Sequence, residues 1–110
     1  MSDQNINDKI SEIINKDDVV LFMKGSPVFP QCGFSATVID ILSETGAPFQ
    51  SYNILEDDDL REGVKTFSNW PTIPQLYVKG EFVGGCDIVK EMFSEGELDT
   101  LLKEKGVPTE

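Results

Sequence analysis

Residues 24–35 read KGSPVFPQCGFS, a loop rich in glycine and proline that carries a cysteine near its end. The apolar run before it, Val19–Met23, predicts a buried strand that Gly25 and Pro27 end. The residues after it have apolar side chains at helical spacing, so Cys32 is predicted to lie in the first turn of a helix. A helix N-terminus stabilises thiolate over thiol, because it presents unpaired N–H groups and a partial positive charge. We therefore expect Cys32 to be partly ionised and nucleophilic, rather than a small buried apolar residue.

The same patterns, followed in both directions, predict elements in the order α, β, α, β, α, β, β, α, α. The first β-α-β unit requires a parallel strand pair, and the final hairpin adds antiparallel strands. We therefore expect an α/β fold with a mixed four-stranded sheet and helices on both faces. The first predicted helix is capped by Ser2 and Asp3 and ends near Lys16. The predicted strands are 19–23, 49–55, 75–79 and 82–84. Three further helices begin near Cys32, at the acidic cap 57–59 and at the cap Asp87, and a last helix ends before Gly106.

Helical spacing also predicts which side chains of each helix are buried. These predicted stripes include three phenylalanines, Phe34 on the second helix, Phe67 on the third and Phe93 on the fourth.

The composition excludes several functions. The chain has 20 acidic and 9 basic residues and a formal charge of -11, which repels nucleic-acid backbones and anionic membranes. It contains no histidine, so Cys-His and Ser-His catalysis and imidazole zinc sites are excluded. Its 110 residues fit one domain, and the N-terminus has neither a signal-peptide nor a transit-peptide pattern. We expect one cytoplasmic domain, unless a presequence has been removed.

A redox pair of the C-x-x-C type would have its second cysteine at position 35. This chain has Ser35 there, and a serine cannot resolve a mixed disulfide. The other cysteine, Cys86, is distant in sequence and could resolve one only if the fold brought it close. A thiolate without a resolving partner is available as a metal ligand. A [2Fe-2S] cluster normally takes four thiolates, and this chain offers at most two. The remaining ligands must then come from another subunit, a small thiol, or both.

The tetrapeptide Cys32-Gly33-Phe34-Ser35 resembles the signature of the monothiol glutaredoxins. Three more segments match that family in the same order, namely FMKG at 22–25, WPTIPQ at 70–75 and GGCD at 84–87. The likeness covers about residues 16–102 of a single domain spanning 1–110. It implies a thioredoxin-like fold, and it implies that glutathione is the missing thiol.

The resemblance also implies a role for each position of a glutathione site. Cations placed like Lys24 and Arg61 bind the glycine carboxylate, and Lys65, one helical turn further on, assists. The segment Thr72-Ile73-Pro74 is expected to hold a cis peptide bond before Pro74. The Ile73 main chain would then pair with the glutathione cysteine like an added strand.

The other end of glutathione is expected to meet the start of a helix. Gly84 and Gly85 allow close approach of the main chain, and the N–H groups of Cys86 and Asp87 suit the γ-glutamyl carboxylate. The Asp87 side chain would meet the ammonium group, serve as a helix cap, or do both. Cys86 is equally well explained as a packed apolar residue.

The leading hypothesis is a cluster carrier, in which two Cys32 thiolates and two glutathione thiolates enclose one [2Fe-2S] cluster between two subunits. Such a carrier would pass the cluster to acceptor or assembly proteins. The alternative is a glutathione-dependent oxidoreductase that forms a mixed disulfide at Cys32 and deglutathionylates substrates. A third hypothesis is an adaptor domain that senses cluster supply.

Overall fold

The computed structural model describes the main chain of residues 3–109 and the side chains of residues 6–109. Its elements follow the predicted order, with one unpredicted 3₁₀ turn after the second strand. They are α1 (Asp3–Lys16), β1 (Val19–Met23), α2 (Gly33–Thr45), β2 (Gln50–Asn53), the 3₁₀ turn (Ile54–Glu56), α3 (Asp58–Ser68), β3 (Gln75–Val78), β4 (Glu81–Gly84), α4 (Cys86–Ser94) and α5 (Glu97–Glu104). No helix in this described part of the chain is long and apolar enough to cross a bilayer.

The strands form one mixed sheet in the order β2-β1-β3-β4. β1 pairs in parallel with β2, and Val20 lies opposite Gln50. β3 is antiparallel to both β1 and β4. This arrangement confirms the predicted parallel pair and the predicted hairpin. At the hairpin turn, Lys79 and Gly80 both have positive φ, 51° and 81°, the conformation that two-residue hairpin turns favour.

The sheet has a buried core on each face, and the side chains of β1 alternate between them. Val19, Leu21 and Met23 join a cluster with side chains of α2, α4 and α5. Val20 and Phe22 join a second cluster with side chains of α1 and α3. All five residues of β1 are buried, so the strand that leads into the Cys32 loop is fixed from both sides.

Several predicted details are wrong. Phe34, Phe67 and Phe93, which all lie near a helix end, are 62%, 39% and 41% exposed. The Phe67 ring nevertheless contacts Tyr77 of β3, with ring centroids 6.5 Å apart. The predicted strand 49–55 is shorter, since the Asn53 side chain accepts hydrogen bonds from the N–H groups of Leu55 (3.0 Å) and Gly25 (2.9 Å) and starts the 3₁₀ turn.

The helix caps give a mixed result. Asp57 caps α3 as predicted, because its Oδ1 accepts a hydrogen bond from the Leu60 N–H at 3.1 Å. Asp87 is not the cap of α4: the N-cap is Gly85, and Asp87 lies inside the first turn. The predicted cap at Ser2 and the side chain of Asp3 lie outside the described residues.

Candidate functional site

Cys32 is the N-cap residue of α2, with extended backbone angles (φ -152°, ψ 134°). The loop before it folds back on the end of β1, since the Gln31 N–H donates to the Lys24 carbonyl at 2.8 Å. Gly25 makes this fold possible: its φ is +92°, and a Cβ there would lie 2.5 Å from the Phe29 carbonyl oxygen. The loop therefore presents Cys32, one residue ahead of the first helical turn, partly exposed to solvent.

Partial burial alone would raise the pKa of the Cys32 thiol. The main-chain N–H groups of Ser35 and Phe34 act in the opposite direction and lower the pKa, and the charge of Lys24 and the Ser35 hydroxyl add to their effect. The pKa of Cys32 consequently lies below its ordinary value. This direction agrees with the thiolate that its position at the helix N-terminus predicts.

Ser35 is completely buried, although it occupies the second position of a C-x-x-C pattern. Its Oγ accepts a hydrogen bond from the Lys24 N–H at 3.2 Å. The hydroxyl thus ties the end of β1 to the first turn of α2, directly beneath the thiol.

Three cations line the site. Lys24 follows β1, and Arg61 and Lys65 lie one turn apart on α3. An acid that the sequence analysis did not single out sits between the two α3 cations: Glu62 Oε2 is 3.2 Å from Lys65 Nζ and 3.8 Å from Arg61 Nε. Among the described ion pairs, Lys24 takes part in none.

The segment between α3 and β3 forms a second wall. The Ile73-Pro74 peptide bond is cis, as the family resemblance implied. Within the described residues, the Ile73 main chain has no hydrogen-bond partner, so its groups are available to an extended ligand.

The start of α4 forms the third wall. A Cβ on Gly84 would lie 2.8 Å from Ile88 Cβ, and one on Gly85 would lie 3.2 Å from Trp70 Nε1, so glycine is required for this close packing. Cys86 is 8% exposed. Burial raises the pKa of its thiol, and the nearby Asp87 raises it further.

These walls enclose one cavity of about 460 Å³. Of the residues that the sequence places in the site, Gly84 does not line this cavity and the other ten do, namely Lys24, Cys32, Arg61, Lys65, Thr72, Ile73, Pro74, Gly85, Cys86 and Asp87. The aromatic side chains of Phe34 and Trp70, together with Pro71 and Ile88, line it as well.

The protein alone does not offer a complete metal site in the part of the chain that the structure describes. No group of three or more Cys, Asp, Glu or His side chains there is arranged to hold a metal ion. Of the two thiols, Cys32 is partly exposed and Cys86 is buried. A metal centre at Cys32 would therefore need ligands from outside this chain.

Comparison with known proteins gives consistent matches. Residues 19–83, more than half of the chain, match the family model described as Glutaredoxin. The chain is 55% identical over 102 residues to Monothiol glutaredoxin-5, mitochondrial, of Saccharomyces cerevisiae, a match that covers 90% of this chain and 68% of the yeast protein. It is 52% identical over 103 residues to Monothiol glutaredoxin-S11 of Oryza sativa subsp. japonica, covering 94% of this chain but only 21% of that longer protein.

The fold is also that of a solved relative. The solution structure of reduced poplar apo GrxS14 superposes with a TM-score of 0.84 and 48% sequence identity, covering 96% of this chain and 97% of that one. This likeness confirms the predicted thioredoxin-like fold.

Proposed function

The chain belongs to the glutaredoxin family and, within it, to the monothiol glutaredoxins, and from that premise we propose that it binds glutathione beside Cys32 and carries a labile [2Fe-2S] cluster as a glutathione-bridged homodimer. The cluster would be delivered to iron-sulfur acceptor or assembly proteins. The observation that carries this proposal is the convergence of ten assigned residues on one cavity that Cys32 lines, although they come from five separate places in the sequence, at 24, 32, 61–65, 72–74 and 85–87.

The chemistry of the cavity suits glutathione, which has two carboxylates, one ammonium group and a central peptide. Lys24, Arg61 and Lys65 offer positive charge for the glycine carboxylate. The unpaired main chain of Ile73 suits the central cysteine, whose thiol would then lie next to Cys32.

At the other end of glutathione, the first N–H groups of α4 suit the γ-glutamyl carboxylate. The exposed Asp87 carboxylate suits the ammonium group. In this proposal the three walls of the cavity each hold one part of the tripeptide.

The thiols of this chain fit a cluster that is shared between subunits. Cys32 is partly exposed and its lowered pKa favours the thiolate that iron requires, whereas burial disfavours Cys86 as a ligand. One chain thus supplies one thiolate and glutathione supplies a second. Two copies are needed to reach the usual four. When bound, the cluster supplies iron and sulfide that exchange readily, because glutathione is itself an exchangeable ligand.

Anaerobic reconstitution with iron, sulfide and glutathione tests the proposal, with visible absorption and gel filtration as readouts. We expect a coloured dimer from the wild type and from Cys86→Ser, which is the matched control because it removes the other thiol. Cys32→Ser, or omission of glutathione, is expected to abolish both colour and dimer. A colourless wild type, or a Cys32→Ser variant that binds the cluster as well as the wild type, contradicts it.

The same preparations separate this function from oxidoreductase activity. Appreciable Cys32-dependent turnover of a mixed glutathione disulfide, without cluster binding, would favour the oxidoreductase instead. We further propose that the protein works as one domain in the cytoplasm; cell fractionation would test that location.

A further inference from the structure

Gln75, the first residue of β3, is a polar side chain that is completely buried. Its Nε2 donates hydrogen bonds to the carbonyl oxygens of Trp70 (3.1 Å) and Thr72 (3.2 Å). Its Oε1 accepts one from the Tyr77 hydroxyl at 3.3 Å. One buried amide therefore binds the cavity-lining segment 70–74 at two points, on either side of Pro71.

We propose that Gln75 is a positioning residue for the ligand: its buried amide holds segment 70–74 in the conformation in which Thr72 and the Ile73 main chain face the cavity. This inference rests on the proposed glutathione binding and extends it to a residue that does not itself line the cavity. A buried amide whose hydrogen bonds are all made is costly to rearrange, which suits it to fixing one loop conformation.

Tyr77 completes the hydrogen bonding of that amide. The Tyr77 side chain is 2% exposed and packs edge-on against Phe22 (ring centroids 5.7 Å apart) and at a tilt against Phe82 (5.4 Å). Burial raises the pKa of Tyr77 to about 12, so its hydroxyl remains a donor at neutral pH. The Trp70 and Thr72 carbonyl oxygens can only accept, so the two N–H groups of Gln75 must point towards the loop, and the Tyr77 hydroxyl then donates to the amide oxygen on the other side.

The position of the loop also affects the α4 wall. Trp70 Nε1 is buried without a hydrogen-bond partner among the described residues, and it lies 3.2 Å from where a Cβ of Gly85 would stand. A displaced loop would therefore change the contact between Trp70 and the start of α4. Trp70 is also the only tryptophan in the chain, so its fluorescence reports on the loop directly.

The test is Gln75→Met, which keeps the length of the side chain but removes all three hydrogen bonds. If the freed loop spends only part of its time in the binding conformation, the apparent affinity falls to that fraction of its intrinsic value. For two neutral hydrogen bonds we expect glutathione binding to weaken about tenfold, with a changed Trp70 emission spectrum. Tyr77→Phe, which removes only the hydroxyl, should weaken binding about threefold.

The matched control is Val78→Ala. Val78 lies on the same strand and is 1% exposed, but it packs in the cluster on the opposite sheet face. This variant should be destabilised in thermal melts yet bind glutathione like the wild type, when all proteins are compared at a temperature where they are folded.

The outcomes separate the two proposals. Failure of the wild type to bind glutathione contradicts the proposed function. A wild type that binds, together with a folded Gln75→Met that binds equally well, contradicts only the positioning role. The positioning role is also contradicted if Val78→Ala weakens binding as much as Gln75→Met, because the weaker binding would then result from general destabilisation. If Gln75→Met does not fold, Tyr77→Phe decides, and unchanged affinity in that variant overturns the inference.

Discussion

Replacement of Glu62 by glutamine should tighten glutathione binding, because this carboxylate competes with the ligand for the same cations. Glu62 Oε2 lies 3.2 Å from Lys65 Nζ and 3.8 Å from Arg61 Nε, two of the three cations assigned to the glycine carboxylate. Glutamine keeps the shape of the side chain and removes its charge. The change therefore frees both cations without altering the lining of the cavity, to which Glu62 does not belong.

The expected gain is modest because Glu62 is 69% exposed. Exposed ion pairs of this kind contribute about 0.2–1 kcal/mol each. Releasing both pairs should strengthen binding by about 0.5–1 kcal/mol, which corresponds to a Kd lower by roughly two- to fivefold. The gain should shrink at high salt, where the Debye length falls to about 3 Å.

Glutathione titration by calorimetry, or by Trp70 fluorescence, at low and high salt measures the effect. The control is Glu44→Gln, an equal change in net charge at an exposed position of α2 that does not line the cavity. An equal gain in both variants would show that only net charge matters. Unchanged or weaker binding by Glu62→Gln alone would show that the ligand carboxylate does not lie at these cations.

Three other predictions concern the thiol and the local structure that supports it. Ser35→Ala should raise the pKa of Cys32, measured as the pH dependence of alkylation. It should also lower the free energy of unfolding in urea by about 1–2 kcal/mol, because the Lys24 N–H loses its acceptor. Gly25→Ala should lower the free energy of unfolding by about 1–3 kcal/mol, because φ is +92° at Gly25. Gly33→Ala is its control: a Cβ added at Gly33 would have no atom within 4 Å, so this variant should not lose that free energy. Asp57→Ala should cost about 1 kcal/mol at neutral pH. The hydrogen bond from the Leu60 N–H and the neighbouring Lys9 hold the pKa of Asp57 below its ordinary value. The difference in stability should therefore be full above that ordinary value and be lost as the pH falls through the lower folded-state pKa, which urea unfolding across the acid range checks.

The fold was largely predictable because the strands and helices of this chain differ clearly in period. The five buried residues of β1, the helical stripes and the Lys79-Gly80 turn are each local signals, and the β-α-β unit then determines the parallel pair. Local signals do not show where a helix extends past the sheet, which is why Phe34 was predicted to be buried and is exposed. They also do not show that Asn53 ends β2 by bonding a loop that is distant in sequence.

The residues around the cavity were only partly predictable from the sequence. The family resemblance led to nearly all of the assigned lining residues, and Lys65 was added because it lies one helical turn past Arg61. It gave no role to Glu62, whose contacts depend on side-chain geometry at the surface of α3. The role of Gln75 depends on the path of segment 70–74. The sequence marked this residue only as the end of the WPTIPQ motif and as a polar residue at the start of an apolar strand, and neither signal indicates a role.

Native mass spectrometry of the anaerobically reconstituted protein tests the central proposal most directly, because it weighs every ligand at once. We predict a species containing two chains, two glutathione molecules and one [2Fe-2S] cluster, which gives the four thiolates that the cluster requires. The same species should form with Cys86→Ser and be absent with Cys32→Ser. A cluster held by a single chain, or by two chains without glutathione, would contradict the proposal.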